Sequence, residues 1–89
     1  MARVSFTSHL RKVAPTEAVH IAAGNLGNAL EPVFARYPKL RGYVVDEQNR
    51  LRKHVVIFLN GERLAAADWP SHLVDEDDEI HVLQALSGG

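Results

Sequence analysis

The residues of this chain whose types suggest unusual chemistry are the last three, Ser87, Gly88 and Gly89, which directly follow the largely apolar stretch LQAL. Glycine has no side chain, so the backbone at Gly88 can approach a protein wall closely and the acyl carbon of Gly89 is open to attack. The α-carboxylate of Gly89 is ionised at neutral pH and is a poor electrophile until it is activated. Either these glycines are a tag or leftover, or the α-carboxylate of Gly89 is the reacting group, carried by a segment that includes Leu86, Ser87 and Gly88.

Other kinds of reactive site are poorly represented. The sequence contains no cysteine, which excludes disulfides, thiolate nucleophiles and cysteine-based metal sites. The five histidines are scattered, with no HExxH motif and no pair spaced four residues apart, so we expect no bound metal. Neither a GxxxxGK[ST] loop nor a GxGxxG turn is present to hold a nucleotide. If ATP takes part in the reaction, a partner must bind it.

Composition limits the class of protein further. The chain has 89 residues, of which 46% are hydrophobic and 24% charged, which is typical of one small globular domain with little room for a catalytic cleft. The net charge is −1 and no cluster of Lys and Arg marks a nucleic-acid surface, so we expect no nucleic-acid partner. The longest apolar run, Val55 to Leu59, is far too short to cross a membrane, and no signal peptide is recognisable. A cytoplasmic protein without a membrane partner is therefore expected.

The first half of the sequence predicts two strands and a helix. ARVSFT alternates, and EAVHIAA, residues 17 to 23, fits a second short strand. The helix follows, with Asn25 as its N-cap and Pro38 as its stop signal. Pro32 lies on its outward face, so we expect a bend there but not two separate helices. The apolar helix positions share one face: Leu26, Ala29, Leu30, Val33, Phe34 and Tyr37.

The second half predicts strands and turns. YVV and LRKHVVIFL flank the turn-forming DEQN, and Asn60-Gly61 is a strong hairpin signal. The run VVIFL is apolar on both strand faces, so it is either covered on both sides or has one face reserved for a partner. AAADWPSHL is predicted to be irregular, with Trp69 and Leu73 at the core edge. DEDDE reads as a solvated turn or a docking patch, and it precedes a last strand, IHVLQAL.

The predicted order is strand, strand, helix, two or three strands, and a last strand leading to Gly-Gly, which is an α+β arrangement with one main helix across a mixed sheet. This order, together with the segments ARYPKL, HVVIFLNG and DEIHVLQALSGG, resembles the ubiquitin-like β-grasp sulfur carriers, the family of the molybdopterin-synthase small subunit and the thiamine sulfur carrier. The resemblance covers nearly the whole chain. It implies a β-grasp domain over residues 1–84 and a flexible, extended C-terminal tail over residues 85–89.

The resemblance also implies a mechanism in which the chain is a cosubstrate without its own catalytic site. A ubiquitin-activating-type enzyme uses ATP to adenylate the C-terminal carboxylate, here that of Gly89, and sulfur then displaces AMP to leave a thiocarboxylate. A second enzyme, such as a molybdopterin-synthase large subunit, accepts the sulfur. Matching the family's partner-binding patch to this sequence gives Thr7, Arg63 and Leu83, with Phe58 or Val56 on a neighbouring strand. Thr7 and Arg63 are polar, which departs from the apolar patch usual in the molybdopterin branch.

Several alternatives remain open at this point. Length and the run KHVVIFLNG favour molybdopterin biosynthesis, but a carrier for thiamine, cysteine or a secondary metabolite fits the same features. A ubiquitin-like modifier would share the adenylation step and end as an isopeptide on a partner lysine. A plain interaction domain with an incidental Gly-Gly, and an enzyme in its own right, are the remaining possibilities.

Overall fold

The structure, a computed structural model, describes residues 1–7, 10 and 12–84 of the chain. Its strands and helices are, in chain order, β1 Ala2–Phe6, β2 Val19–Ile21, β3 Gly24–Asn25, α1 Leu26–Arg36, α2 Pro38–Val44, β4 Val55–Leu59, β5 Glu62–Leu64, β6 Leu73–Val74 and β7 Glu79–Gln84, with a short 3₁₀ helix at Ala66–Asp68. The predicted strands near both ends of the chain and the long helix are present.

Five strands form one mixed sheet in the order β2-β1-β7-β4-β5. The central pair, β1 and β7, is parallel, and the other neighbours are antiparallel. β3 and β6 form a separate two-stranded sheet. The first and last strands along the chain thus lie side by side in the middle of the main sheet, which confirms the predicted mixed α+β arrangement.

The hydrophobic core lies between α1 and one face of the main sheet. Strand alternation directs every second side chain toward α1. The buried strand residues are Ala2, Val4 and Phe6 of β1, Ile21 of β2, Val55 and Ile57 of β4, and Ile80 and Val82 of β7. The buried apolar residues of α1 are Leu26, Ala29, Leu30, Val33 and Phe34. This is the helical face that the sequence spacing predicts, except that Tyr37 lies at the helix C-cap and is only partly buried.

The ends of α1 follow the predicted signals. The side chain of Asn25 accepts a hydrogen bond from the backbone N–H of Asn28 at 3.2 Å, as an N-cap should. The helix continues through the exposed Pro32 without dividing into two elements, as predicted. It ends at Arg36, with Tyr37 as its C-cap and Pro38 as the next residue.

A second helix was not expected, and the strand predicted at YVV is wrong. Tyr43 and Val44 belong to α2, and Val45 forms only an isolated bridge with Leu51. Pro38 therefore ends one helix and begins the next, since proline is favoured in the first turn of a helix. The apolar run YVV is too short to distinguish a strand from the last turn of a helix.

The Asn60-Gly61 turn and the buried position of Trp69 are confirmed, whereas the core position predicted for Leu73 is wrong. Asn60 and Gly61 both have positive φ, 50° and 85°, and join β4 to β5 as the hairpin signal predicts. Trp69 is buried and its indole N–H donates to the carbonyl of Asn49 at 3.2 Å. Leu73 is 72% exposed, because alternation in β6 turns its neighbour Val74 inward instead.

Candidate functional site

The candidate site is the face of the main sheet opposite α1, referred to below as the open face. The strand registers arrange its side chains in three rows across the sheet. The row nearest the Asn60-Gly61 turn contains Glu79, Arg3 and His20. The middle row contains Arg63, Phe58, His81 and Ser5, and the third contains Val56, Leu83 and Thr7.

The structure brings together the four residues that the sequence suggests for partner binding. Arg63 on β5 lies directly opposite Phe58 on β4. Leu83 on β7 lies opposite Val56, which is one same-face position from Phe58. Thr7 is next to Leu83, since its N–H donates to the Val82 carbonyl at 3.1 Å in the β1–β7 ladder.

The polarity of the open face changes along the strands. At the turn end, Arg3 donates a hydrogen bond to Glu79 at 2.7 Å, and both side chains are about half exposed, 52% and 54%. At the other end, Val56 and Leu83 form a partly buried apolar pair. The apolar part of the face therefore lies at the end of β7 that leads into residue 85.

β7 is the strand that leads into residues 85–89. It is paired on both sides, with β1 and with β4, and its pairing continues to Gln84 opposite Val55. The predicted reacting residue Gly89 and the carrying residues Leu86, Ser87 and Gly88 lie outside the described residues. What the structure provides is a central strand, paired on both sides, that ends at Gln84, directly before residues 85–89.

The acidic segment before β7 forms a hydrogen-bonded turn. The carboxylate of Asp78 accepts from the backbone N–H of Asp75 and from the side-chain amide of Asn60, both at 2.8 Å. The Asp75 N–H bond, the Asn60 bond and the charge of His72 together lower the pKa of Asp78. Asn60 also accepts from the Glu79 N–H at 2.9 Å, so the β4–β5 hairpin is joined to the start of β7.

One open-face residue and one packing glycine were missed in the sequence. His81 stands beside the predicted residues, and the alternation in EIHVLQ would have indicated it. Gly27 is buried near the start of α1, where its N–H donates to the Pro70 carbonyl at 3.0 Å. A β-carbon at Gly27 would lie 3.0 Å from that carbonyl oxygen. Glycine inside a helix is unfavourable by about 1 kcal/mol, so its presence was itself a signal of close packing.

Metal and membrane features can be assessed for the described residues. Within residues 1–7, 10 and 12–84, no group of three or more His, Asp and Glu side chains comes close enough to hold a metal ion. None of the helices in this same part of the chain has the length and apolar character needed to cross a membrane.

Comparison with known proteins agrees with this geometry. A model of the ThiS family matches residues 4–89. No curated protein matches the sequence significantly. Among solved structures, a chain of the BexX/CysO complex of Amycolatopsis orientalis superimposes with a TM-score of 0.84 at 21% identity, covering 100% of both chains.

Two further solved structures share the fold. CysO of Mycobacterium tuberculosis has a TM-score of 0.81 at 20% identity, covering 97% of this chain and 100% of the other. The small archaeal modifier protein 1 of Methanosarcina acetivorans has a TM-score of 0.80 at 24% identity, covering 99% and 95%. At these identities the structures establish the fold, and the family match covers almost all of the sequence. The chain is a member of the ThiS family, the ubiquitin-like β-grasp sulfur carriers.

Proposed function

We propose that this protein is a sulfur carrier whose α-carboxylate at Gly89 is converted to a thiocarboxylate by a partner enzyme. The observation that carries the proposal is the family match, which extends through Gly89, on a chain in which the central strand β7 leads directly into residues 85–89. A cysteine-free chain agrees with this role, because the sulfur is carried on the acyl carbon.

The proposed chemistry has two balanced steps. A carboxylate oxygen of Gly89 attacks the α-phosphorus of ATP in the partner's active site, forming an acyl-adenylate and releasing pyrophosphate. A sulfide equivalent then attacks the acyl carbon and AMP leaves with the electron pair of the broken C–O bond. Residues 85–89, if extended, would reach roughly 17 Å at about 3.4 Å per residue, which is enough to enter a partner's active site. ATP is bound by the partner, and we propose the cytoplasm as the compartment.

The open face is the surface proposed to hold that partner. Phe58, Leu83 and Val56 provide a partly buried apolar area next to the point where β7 ends, and Arg63 adds a positive charge beside Phe58. A partner seated there would be close to the start of residues 85–89. The same surface would serve the activating enzyme and the sulfur acceptor in turn.

Intact-mass spectrometry tests the chemistry. The protein is incubated with its activating enzyme, ATP and sulfide, and we expect a mass gain equal to the replacement of one oxygen by sulfur at Gly89. Deletion of Gly89 should abolish the gain, because the carboxylate would be displaced by about 3.4 Å and near-attack geometry tolerates only about 1 Å. Equal thiocarboxylation of the deleted chain would contradict the proposal. Gly88→Ala is the matched variant that keeps the length of the segment.

For the receiving pathway we propose molybdopterin biosynthesis, with a molybdopterin-synthase large subunit as the acceptor. Chain length and the segment HVVIFLNG, which forms β4 and its turn, support this assignment. Co-purification with a large subunit, and sulfur transfer to it from the thiocarboxylated protein, are the expected results. Transfer only to an acceptor of the thiamine, cysteine or secondary-metabolite pathways would replace the molybdopterin assignment while leaving sulfur carriage intact.

A protein-modifier role is the second candidate, favoured by the structural similarity to a protein named small archaeal modifier protein 1. It shares adenylation of Gly89 but ends as an amide on a lysine of another protein. Peptide mapping after the same incubation separates the two roles. If a lysine of another protein is found joined to Gly89 by an amide bond, and no thiocarboxylate is detected, the protein acts as a modifier and not as a sulfur carrier.

A further inference from the structure

The backbone of β2 has hydrogen-bonding groups on a free edge of the main sheet. β1 directs the backbone groups of its odd-numbered residues toward β7: the N–H of Arg3 donates to Asp78 at 3.0 Å and the N–H of Thr7 donates to Val82 at 3.1 Å. Since directions alternate along a strand, the even-numbered residues of β1 direct their groups toward β2. This assignment determines which groups of β2 are free.

The free groups belong to His20. In the antiparallel pair, Ala2 lies opposite Ile21 and Val4 lies opposite Val19, and these are the hydrogen-bonded positions. His20 lies between them, so its N–H and C=O point away from β1. Among residues 1–7, 10 and 12–84, no further strand lies beside β2, which is the first strand in the order β2-β1-β7-β4-β5. An exposed edge of this kind is a template for pairing with another extended chain.

Beside this edge lies a groove of about 340 Å³ between β2 and α1. The side chains of Val19 and Ile21 line one wall, and Ala29 and Val33 line the other. Asn28 also lines the groove, and its carbonyl lacks the usual helical donor because the residue four positions later is a proline. The groove thus combines apolar walls with the adjacent β2 edge, where the backbone groups of His20 point outward, and this combination suits an extended peptide.

The groove continues past Arg36 and Tyr37, which line both it and a second recess of about 440 Å³. This second recess is bordered by Lys12, Arg36 and Lys39, and its floor includes Val13. All three cations are exposed, and none forms an ion pair with the described residues. A strip of apolar groove therefore ends in a cluster of three positive charges.

We propose that the β2 edge and this groove bind an extended segment of a partner protein that has apolar residues followed or preceded by acidic ones. The apolar residues pair with His20 through the backbone and fill the groove between β2 and α1. The acidic residues lie over Lys12, Arg36 and Lys39. This is strand addition, in which main-chain hydrogen bonds provide affinity and the side-chain pockets and charges provide specificity.

The surface is separate from the one proposed for the activating enzyme and the sulfur acceptor. β1 and β7 lie between β2 and β4, so the β2 edge is about 14 Å from β4 at roughly 4.8 Å per strand spacing. The groove also opens toward α1, on the opposite side of the sheet from the open face. A partner bound at β2 could therefore hold the carrier while residues 85–89 occupy an enzyme's active site.

A synthetic peptide tests the proposal. The probe has a run of Val and Ile followed by a run of Asp and Glu, and a second probe has these runs in the reverse order. Fluorescence anisotropy should show saturable binding of at least one probe, and hydrogen exchange of the His20 amide should slow when it binds. Replacing the acidic run by Lys should weaken binding by about tenfold or more, and added salt should weaken the binding of the acidic probe.

Two pairs of matched variants locate the binding. His20→Pro removes the outward N–H but no bond of the β1–β2 ladder, and edge strands accept proline at such positions. It should weaken binding by about tenfold, whereas His20→Thr, which keeps the N–H, should change binding by less than about twofold. Arg36→Glu should also weaken binding of the acidic probe by about tenfold. Lys53→Glu makes the same charge change outside both recesses and should change the affinity for this probe by less than about twofold.

Three results would overturn the proposal. They are no binding of either probe, equal binding by the His20→Pro and His20→Thr proteins, and peptide-induced exchange protection on the open face around Phe58 instead of at His20. Circular dichroism of each variant controls for misfolding. Thiocarboxylation of Gly89 is measured on the Arg36→Glu protein, whose substitution lies outside the open face, and should be unchanged. Loss of peptide binding with normal sulfur loading separates this proposal from the carrier function.

Discussion

The two faces of strand β4 are built from similar apolar residues but differ in what covers them. On β4, Val55 and Ile57 are buried under α1, with exposures of 5% and 0%. Val56 and Phe58, on the same strand, face the other way and are only partly buried. No described element covers that second face. The covered face stabilises the fold, and the open face is left for partners.

This difference shows that apolar composition does not reveal what covers a surface. A strand that is apolar on both faces can be a central strand inside one protein or a strand that its own chain covers on one side only. Burying apolar area is favourable by about 25 cal/mol per Å² whichever molecule provides the cover. Mutations on the two faces should consequently act on different properties, stability on one and binding on the other.

The largest expected effect is on the covered face. Phe34→Ala should lower the free energy of unfolding by about 3–5 kcal/mol, because Phe34 is 1% exposed and its removal leaves a cavity between α1 and the sheet. Phe58→Ala on the open face is the matched control, and it should lower the free energy of unfolding by less than half as much. Urea unfolding of both variants measures the difference. Equal losses would show that the two faces are equally important for stability.

A smaller loss of stability is expected at the start of α1. Gly27→Ala places a methyl group 3.0 Å from the carbonyl oxygen of Pro70, where backbone and not a flexible side chain must move. Overpacking of this kind typically costs about 1–3 kcal/mol, which exceeds the gain of about 1 kcal/mol in helix propensity. Gly42→Ala, in α2, is the control, because no atom lies within 4 Å of the added carbon. Thermal unfolding should show destabilisation of the first variant only.

Much of the fold was predictable because local signals agreed with the tertiary structure. The cap at Asn25, the spacing of the buried residues of α1 and the Asn60-Gly61 turn are each determined by a few neighbouring residues. α2 was not predicted, since the proline at its first position is equally a stop signal for α1 and its last residues read as a strand. Leu73 was misplaced because alternation over the two residues of β6 cannot be read from the sequence.

The candidate site was predictable only in part. Phe58, Arg63 and Leu83 could be placed on one face because strand alternation and hairpin register are local rules. The basic recess could not be predicted, since Lys12 and Lys39 are brought together by the packing of distant segments. The roles of Leu86, Ser87, Gly88 and Gly89 stay predictions, because they depend on chemistry in a partner.

On the open face, a charge should affect binding more than stability. Leu83→Asp places a carboxylate in the apolar row beside Val56, next to the proposed entry of residues 85–89 into the partner. We expect affinity for the activating enzyme to fall by about tenfold, or about 1.4 kcal/mol. His81→Asp, one row away on the same strand, is the control for a charge at a position already exposed. Titration calorimetry measures the affinity of both variants for the activating enzyme. An unchanged affinity of the Leu83 variant would show that this part of the open face does not bind the enzyme.

The smallest expected effect concerns the polar end of the open face and depends on pH. The Asp75 N–H, the Asn60 amide and the charge of His72 lower the pKa of Asp78 in the folded protein. A carboxylate whose folded pKa lies below its unfolded value of about 3.9 stabilises the fold above that pH, and the contribution is lost as pH falls through the folded pKa. Asp78→Asn should therefore reduce stability at neutral pH, by about 0.2–1 kcal/mol as for other exposed charge interactions.

The same linkage predicts that the difference in unfolding free energy between the parent protein and Asp78→Asn shrinks as the pH falls below about 4, where both unfolded and folded carboxylates become protonated. Asp77→Asn is the matched control, because the Asp77 carboxylate makes no hydrogen bond with the described residues. Urea unfolding between neutral and acidic pH gives both curves. A difference that grew on acidification would mean that the Asn60–Asp78–Asp75 contacts do not hold the start of β7, and that the charge of Asp78 opposes folding.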